Sequence, residues 1–162
     1  MLHMSDTDFM LRALEKAREG MASGNSPFGA CIVKGGKIIA CTHNTVWNTT
    51  DPTAHAEVHA IRSAARTLGT IHLTGCVMYT TCEPCPMCLS AIHWAKVDRV
   101  IYGATIADAA NAGFNELKFD AKRLAKEGGS HLVVQQLDSP DIRRQCADLF
   151  QEWKKAAKCG AY

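Results

Sequence analysis

Val77-Met78-Tyr79-Thr80-Thr81-Cys82-Glu83-Pro84-Cys85-Pro86-Met87-Cys88 is an apolar β-run that turns within a few residues into the start of a helix. Val77 to Thr80 has the content of a buried strand, and Pro86 suits the first position of a short helix reaching Ala95. Arg99 to Tyr102 is the next β-run, so this stretch is a strand–helix–strand unit with cysteines at its turn. Upstream, Ala54 to Leu68 reads as a helix ended by Gly69, and Asn44 to Pro52 as a polar loop. Ala30 to Val33 and Ile38 to Thr42 flank Lys34-Gly35-Gly36-Lys37, the pattern of a tight hairpin. Met10, Leu14, Ala17 and Met21 recur at helical spacing, which predicts a first helix over Asp6 to Gly20.

Downstream, Gly103 to Gly113 predicts a loop or short helix, and Glu116 to Lys126 a helix closed by Gly128-Gly129. His131 to Gln135 is a fifth β-run. The last helix opens at Ser139-Pro140 and carries Ile142, Cys146, Leu149, Phe150 and Trp153 on one face. A hairpin followed by alternating units gives an α/β class: a three-layer α/β/α sandwich with a mixed five-stranded sheet. With 162 residues and no linker or repeat, the chain is expected to be one domain.

Hydrophobic residues make up 47% and charged residues 21%, which excludes global disorder. The balance of 18 basic against 16 acidic residues offers no broad cationic field, so nucleic acid is an unlikely partner. The start, Met1-Leu2-His3-Met4-Ser5-Asp6, lacks the pattern of a secretory signal, and no apolar run approaches a membrane span. A cytoplasmic location without membrane contact is the expectation, and disulfides are rare there. Of eight cysteines, Cys31, Cys41, Cys76, Cys146 and Cys159 are then expected as free thiols. Cys82, Cys85 and Cys88 cluster, which favours metal or redox chemistry.

Cys85 and Cys88 stand three residues apart on one helical turn and can reach one metal. A helix N-terminus also favours the thiolate form. His55 opens the other helix and supplies a nitrogen. Soft sulfur with imidazole selects zinc, and three protein ligands leave the fourth tetrahedral position for water, the pattern of a catalytic Zn2+. Glu57, two residues on, can reach that water, whose pKa falls to about 7 on zinc. A glutamate of ordinary pKa, about 4.3, accepts the proton and later returns it to a leaving group. The alternatives are a closed Cys3His structural site with Cys82 as fourth ligand, and a redox-active Cys-x-x-Cys. Glu83-Pro84 weighs against the first, because the residue before a proline stays extended.

His55-Ala56-Glu57 with Pro84-Cys85-Pro86-Met87-Cys88 resembles the signature of the cytidine deaminase superfamily of zinc deaminases. Pro27-Phe28-Gly29-Ala30, Asp51-Pro52-Thr53 and Ala112-Gly113-Phe114 extend the likeness toward small bacterial guanine deaminases. The resemblance implies a cytidine deaminase-like fold, one Zn2+ per chain on His55, Cys85 and Cys88, and catalysis by Glu57 with Glu116. It implies a purine site formed by Phe28, Asn44, Ala56 and Tyr162, and hydrolysis of guanine to xanthine and ammonia, with zinc-bound hydroxide attacking C2. It further implies a homodimer in which residues 154–162 are exchanged, so that Tyr162 closes the partner's site. Rival readings are a deaminase of guanosine, cytosine or a triazine, and a tRNA adenosine deaminase, which Arg99-Val100-Ile101-Tyr102-Gly103-Ala104 also resembles. A zinc-stabilised binding module without catalysis would have no use for Glu57.

Overall fold

The computed structural model describes residues 4–156 and 158–162. Met1 to His3, part of the segment read for a leader, and residue 157 of the C-terminal segment lie outside the described residues. The elements follow the order α1 (Asp6–Ala22), β1 (Gly29–Lys34), β2 (Lys37–His43), α2 (Val46–Thr49), α3 (Ala56–Leu68), β3 (Cys76–Cys82), α4 (Pro86–Trp94), β4 (Arg99–Ala104), α5 (Ile106–Asn111), α6 (Ala121–Glu127), β5 (Val133–Gln136) and α7 (Pro140–Ala156).

The five strands form one sheet in the order β2-β1-β3-β4-β5. β1 is antiparallel to both neighbours, while β3, β4 and β5 run parallel. The sheet is therefore mixed, as the hairpin-then-alternation pattern predicts. Alternation along β1 sends Cys31 and Val33 to one face and Ala30 and Ile32 to the other. α1 and α7 cover the first face; α3, α4 and α6 cover the second. Two hydrophobic layers thus sandwich the sheet, and the three-layer α/β/α expectation holds.

Local chemistry explains the element ends. Ser5 and Asp8 form a reciprocal capping box on α1, the Ser5 amide donating to Asp8 Oδ2 over 2.7 Å. Gly35 and Gly36 have φ of 55° and 74°, the left-handed pair that a two-residue hairpin turn demands. Gly103 on β4 admits α7: a Cβ there would meet Cys146 Cβ at 2.7 Å and the Thr81 carbonyl at 3.0 Å.

Three local expectations are corrected. Cys31 and Cys41 are not free thiols; the structure joins them, with Cα atoms 4.1 Å apart. The β1–β2 register shifts by one between Ile32 and Val33, and this bulge sets residue 41, rather than 40, opposite 31. Cys76, Cys146 and Cys159 are free as expected. The polar loop after β2 contains a one-turn helix, α2. The helix expected from Glu116 begins only at Ala121, because the Asp120 side chain accepts from the Arg123 amide at 2.6 Å and fixes the N-cap there. Residues 115–120 run as an irregular segment instead.

Candidate active site

β3 and β4 are parallel neighbours, and the helices that begin nearby bring their N-termini to the C-terminal end of β3. His55 is the N-cap of α3 and Cys85 the N-cap of α4; both have extended backbones, and neither side chain makes a capping bond. Those side chains turn instead toward each other. Cys88 follows on the first turn of α4.

His55 Nδ1 lies 3.7 Å from Cys85 Sγ and 3.5 Å from Cys88 Sγ. The three ligand atoms are all within 4.8 Å of one another. A tetrahedral zinc with bonds of about 2.3 Å to sulfur and about 2.0–2.1 Å to nitrogen separates those atoms by about 3.6 Å. The donor set and spacing therefore fit zinc. Cys82 is not part of the group: its buried thiol donates to the Thr105 carbonyl at 3.5 Å, and burial, then the nearby Glu116, raise its pKa. The closed four-ligand site is thus not what the chain builds.

The electrostatics prepare a thiolate. The hydrogen bond from Cys88, working against burial and aided by His55, holds Cys85 down at about 4. Cys88 is raised by the same bond and by burial. Burial pulls the His55 imidazole down, but its bond with Cys85 and the charge of Glu57 outweigh it, and the net shift is upward.

Glu57 sits on the first turn of α3, buried, with Oε2 3.5 Å from Cys88 Sγ. Burial raises its pKa, partly offset by His55 and by the Thr80 hydroxyl, which donates to Oε1 at 3.0 Å. The carboxylate therefore faces the metal ligands without being one.

In front of this group lies a cavity of about 250 Å³, walled by Phe28, Glu57, Cys85, Phe114, Glu116 and Tyr162 among others. Phe28 and Phe114 meet edge to face, with centroids 5.0 Å apart. Glu116 is half-buried, and burial, then the Cys85 charge, push it up to about 7. It reaches the cavity because 115–120 is not helical. Tyr162 packs edge-on against Phe114 and tilts over His55. Its hydroxyl accepts from Asn44 Nδ2 at 2.6 Å, its carbonyl accepts from the Asn115 amide at 2.9 Å, and Trp47 Nε1 donates to the Gly160 carbonyl at 3.1 Å.

Six of the nine expected site residues thus line the cavity, namely His55, Glu57, Cys85, Phe28, Glu116 and Tyr162, and Cys88 lies behind them beside His55 and Cys85. Asn44 and Ala56 are set back. Asn44 is fully buried and committed to Tyr162 and, through Oδ1, to the Val46 amide. Ala56 is buried in the second core layer, its carbonyl accepting from Thr42. Sequence reasoning missed Thr80, Glu83 and Trp47. Thr80 read only as the end of a strand, and Trp47 only as part of a loop; Glu83 lay inside the quoted signature and went unassigned.

A guanine deaminase of Bacillus subtilis (strain 168) is 53% identical over 114 residues, 70% of this chain and 73% of that one. A tRNA-specific adenosine deaminase of Aquifex aeolicus (strain VF5) is 46% identical over 96 residues, 59% of this chain and 64% of that one. The X-ray structure of guanine deaminase from Bacillus subtilis matches at 42% identity and a TM-score of 0.66, covering 98% of this chain and 99% of that one. Residues 4–104, which hold all three metal ligands and Glu57, match the cytidine and deoxycytidylate deaminase zinc-binding region, and the chain belongs to that family of zinc deaminases.

Proposed function

We propose that the protein hydrolyses guanine to xanthine and ammonia. The observation that carries this reading is the pairing of a buried carboxylate beside the zinc ligands with a second, pKa-raised carboxyl across an aromatic-walled cavity. The extensive likeness to a guanine deaminase supports the choice of base.

Zinc held by His55, Cys85 and Cys88 supplies a Lewis acid that lowers the pKa of a water. Glu57 accepts one proton from the attacking water and delivers it to the ring nitrogen beside C2. The water oxygen forms its bond to C2, giving a tetrahedral carbon that bears both hydroxyl and amine. The second proton passes from that hydroxyl to the amine through Glu57, with Glu116 as the neighbouring donor. The C2–N bond breaks, ammonia leaves, and the carbonyl of xanthine forms. Phe28 and Phe114 offer apolar faces to the base. Tyr162 shields the cavity from water, and Asn44 fixes Tyr162 in place.

The protein acts as a homodimer in the cytoplasm in this reading, with a small purine base rather than nucleic acid as its partner. Among the described residues no helix is long and apolar enough to cross a membrane. Tyr162 here reaches the cavity of its own chain. Exchange of the C-terminal segment would supply the same contacts from a partner subunit.

Ammonia release from guanine, guanosine, cytosine, adenine, cytidine, triazines and a tRNA anticodon loop tests the reading. Guanine is expected to lead, and Glu57→Ala is expected to keep zinc while losing at least about a hundredfold in rate. Preferential turnover of the tRNA loop, or full activity in Glu57→Ala, would overturn it.

A further inference from the structure

Glu83 is 8% exposed and lies between β3 and the metal helix, yet it touches no metal ligand's sulfur or nitrogen. Its Oε2 accepts from the Ile106 amide at 3.1 Å and its Oε1 from the Ala121 amide at 2.9 Å. Ile106 is the first residue of α5 and Ala121 the first of α6. These amides bracket the segment that carries Phe114, Asn115 and Glu116. One buried carboxylate therefore ties both ends of a single segment to the loop that presents Cys85. The Glu83 amide adds a third tie, donating to the Ala104 carbonyl at 2.8 Å.

We propose that Glu83 is a positioning residue that fixes the base-recognition segment, residues 106–121, at a set distance from the metal ligands. Between its two anchored ends the segment has only the short helix α5 and the irregular stretch to Asp120. Nothing else described ties both of its ends to the metal loop. Phe114 gains packing from Phe28 and Tyr162, but Glu116 has no hydrogen-bond partner among the described residues and takes its place from the backbone alone. A carboxylate is suited to the task because both its oxygens accept. Glutamine retains one acceptor and sets an N–H group against the other amide, and aspartate is one methylene too short to span both.

The inference rests on the reading of Phe114 and Glu116 as facing the base, and the test separates the two. In the zinc-loaded protein, Glu83→Gln is expected to speed hydrogen exchange at the Ile106, Ala121 and Asn115 amides at least tenfold. Zinc is expected to stay at one per chain. KM for the base that the parent protein turns over is expected to rise at least tenfold, with a smaller fall in kcat. A purely structural role would lower Tm and leave KM and the Asn115 amide unchanged, and that result overturns the proposal. Loss of zinc from the variant also overturns it, since Glu83 would then serve the metal. If guanine is not the substrate, the functional reading fails while the exchange measurement still decides this one. Should Glu83→Gln fail to fold, Ala121→Pro removes one donor from the opposite side. Proline is favoured at a first helical position, and Asp120 already has the extended backbone a following proline requires. The same rise in KM is expected there, and an unchanged KM overturns the proposal.

Discussion

Thr80→Val isolates how the protein tunes its proton carrier. The Thr80 hydroxyl has one proton, and it lies 3.0 Å from Glu57 Oε1 and 3.1 Å from the Cys82 carbonyl. Donation to the carboxylate stabilises the ionised form of Glu57 and pulls its pKa down against burial. Valine keeps the β-branched shape at a site 1% exposed in β3, so the packing survives while the donor is lost. A hydrogen bond to a charged group is worth about 1.5–3 kcal/mol. Its loss therefore raises the Glu57 pKa further. Glu57 must be ionised to accept the water's proton, so the acid limb of kcat/KM against pH moves upward, and at 1.36 kcal/mol per factor of ten kcat/KM on that limb falls about ten- to a hundredfold. The alkaline limb stays where it was. Ammonia release measured from acidic to alkaline pH, with zinc content and circular dichroism as controls, gives the answer. An acid limb that stays in place, or moves to lower pH, refutes the assignment of that limb to Glu57.

Tyr162→Phe removes the 2.6 Å bond from Asn44 but keeps the ring; a neutral bond of about 0.5–1.5 kcal/mol corresponds to a rise in KM of about two- to tenfold, and an unchanged KM would show that this bond does not hold Tyr162 over the site. Glu116, pushed up to about 7, loses its proton as pH rises through neutrality; turnover is expected to decline along that limb, and Glu116→Gln to flatten it. A decline that persists in the glutamine variant assigns the limb to another group. Gly103→Ala drives a methyl into Cys146 of α7 and is expected to cost about 1–3 kcal/mol in denaturant unfolding; a midpoint equal to that of the parent would show that α7 can yield there.

The fold and the metal set were legible because each rests on short-range pattern. Alternating β-runs and helical stripes specify the sandwich, and His55, Glu57, Cys85 and Cys88 lie at helix starts that Gly, Pro and polar residues punctuate. What stayed hidden depends on register or on distant partners. The Cys31–Cys41 pairing needs a one-residue bulge that no composition reveals. The helix expected from Glu116 gave way to the Asp120 cap, and that single shift turns Glu116 toward the cavity. Asn44, placed at the purine site by the family resemblance, meets a residue 118 positions away, a contact that local reading does not reveal. Glu83 likewise accepts from amides 23 and 38 positions downstream, a reach that local reading does not span.

The two uncapped helix starts at His55 and Cys85 set the field around the ligands. Each gives up the side-chain bond that would close its own helix, so the amides of both first turns keep their partial positive charge at the ligand atoms. Two helix ends thus converge on the thiolates, and a substitution that restored a cap at either position would remove a ligand and reduce that field in one stroke.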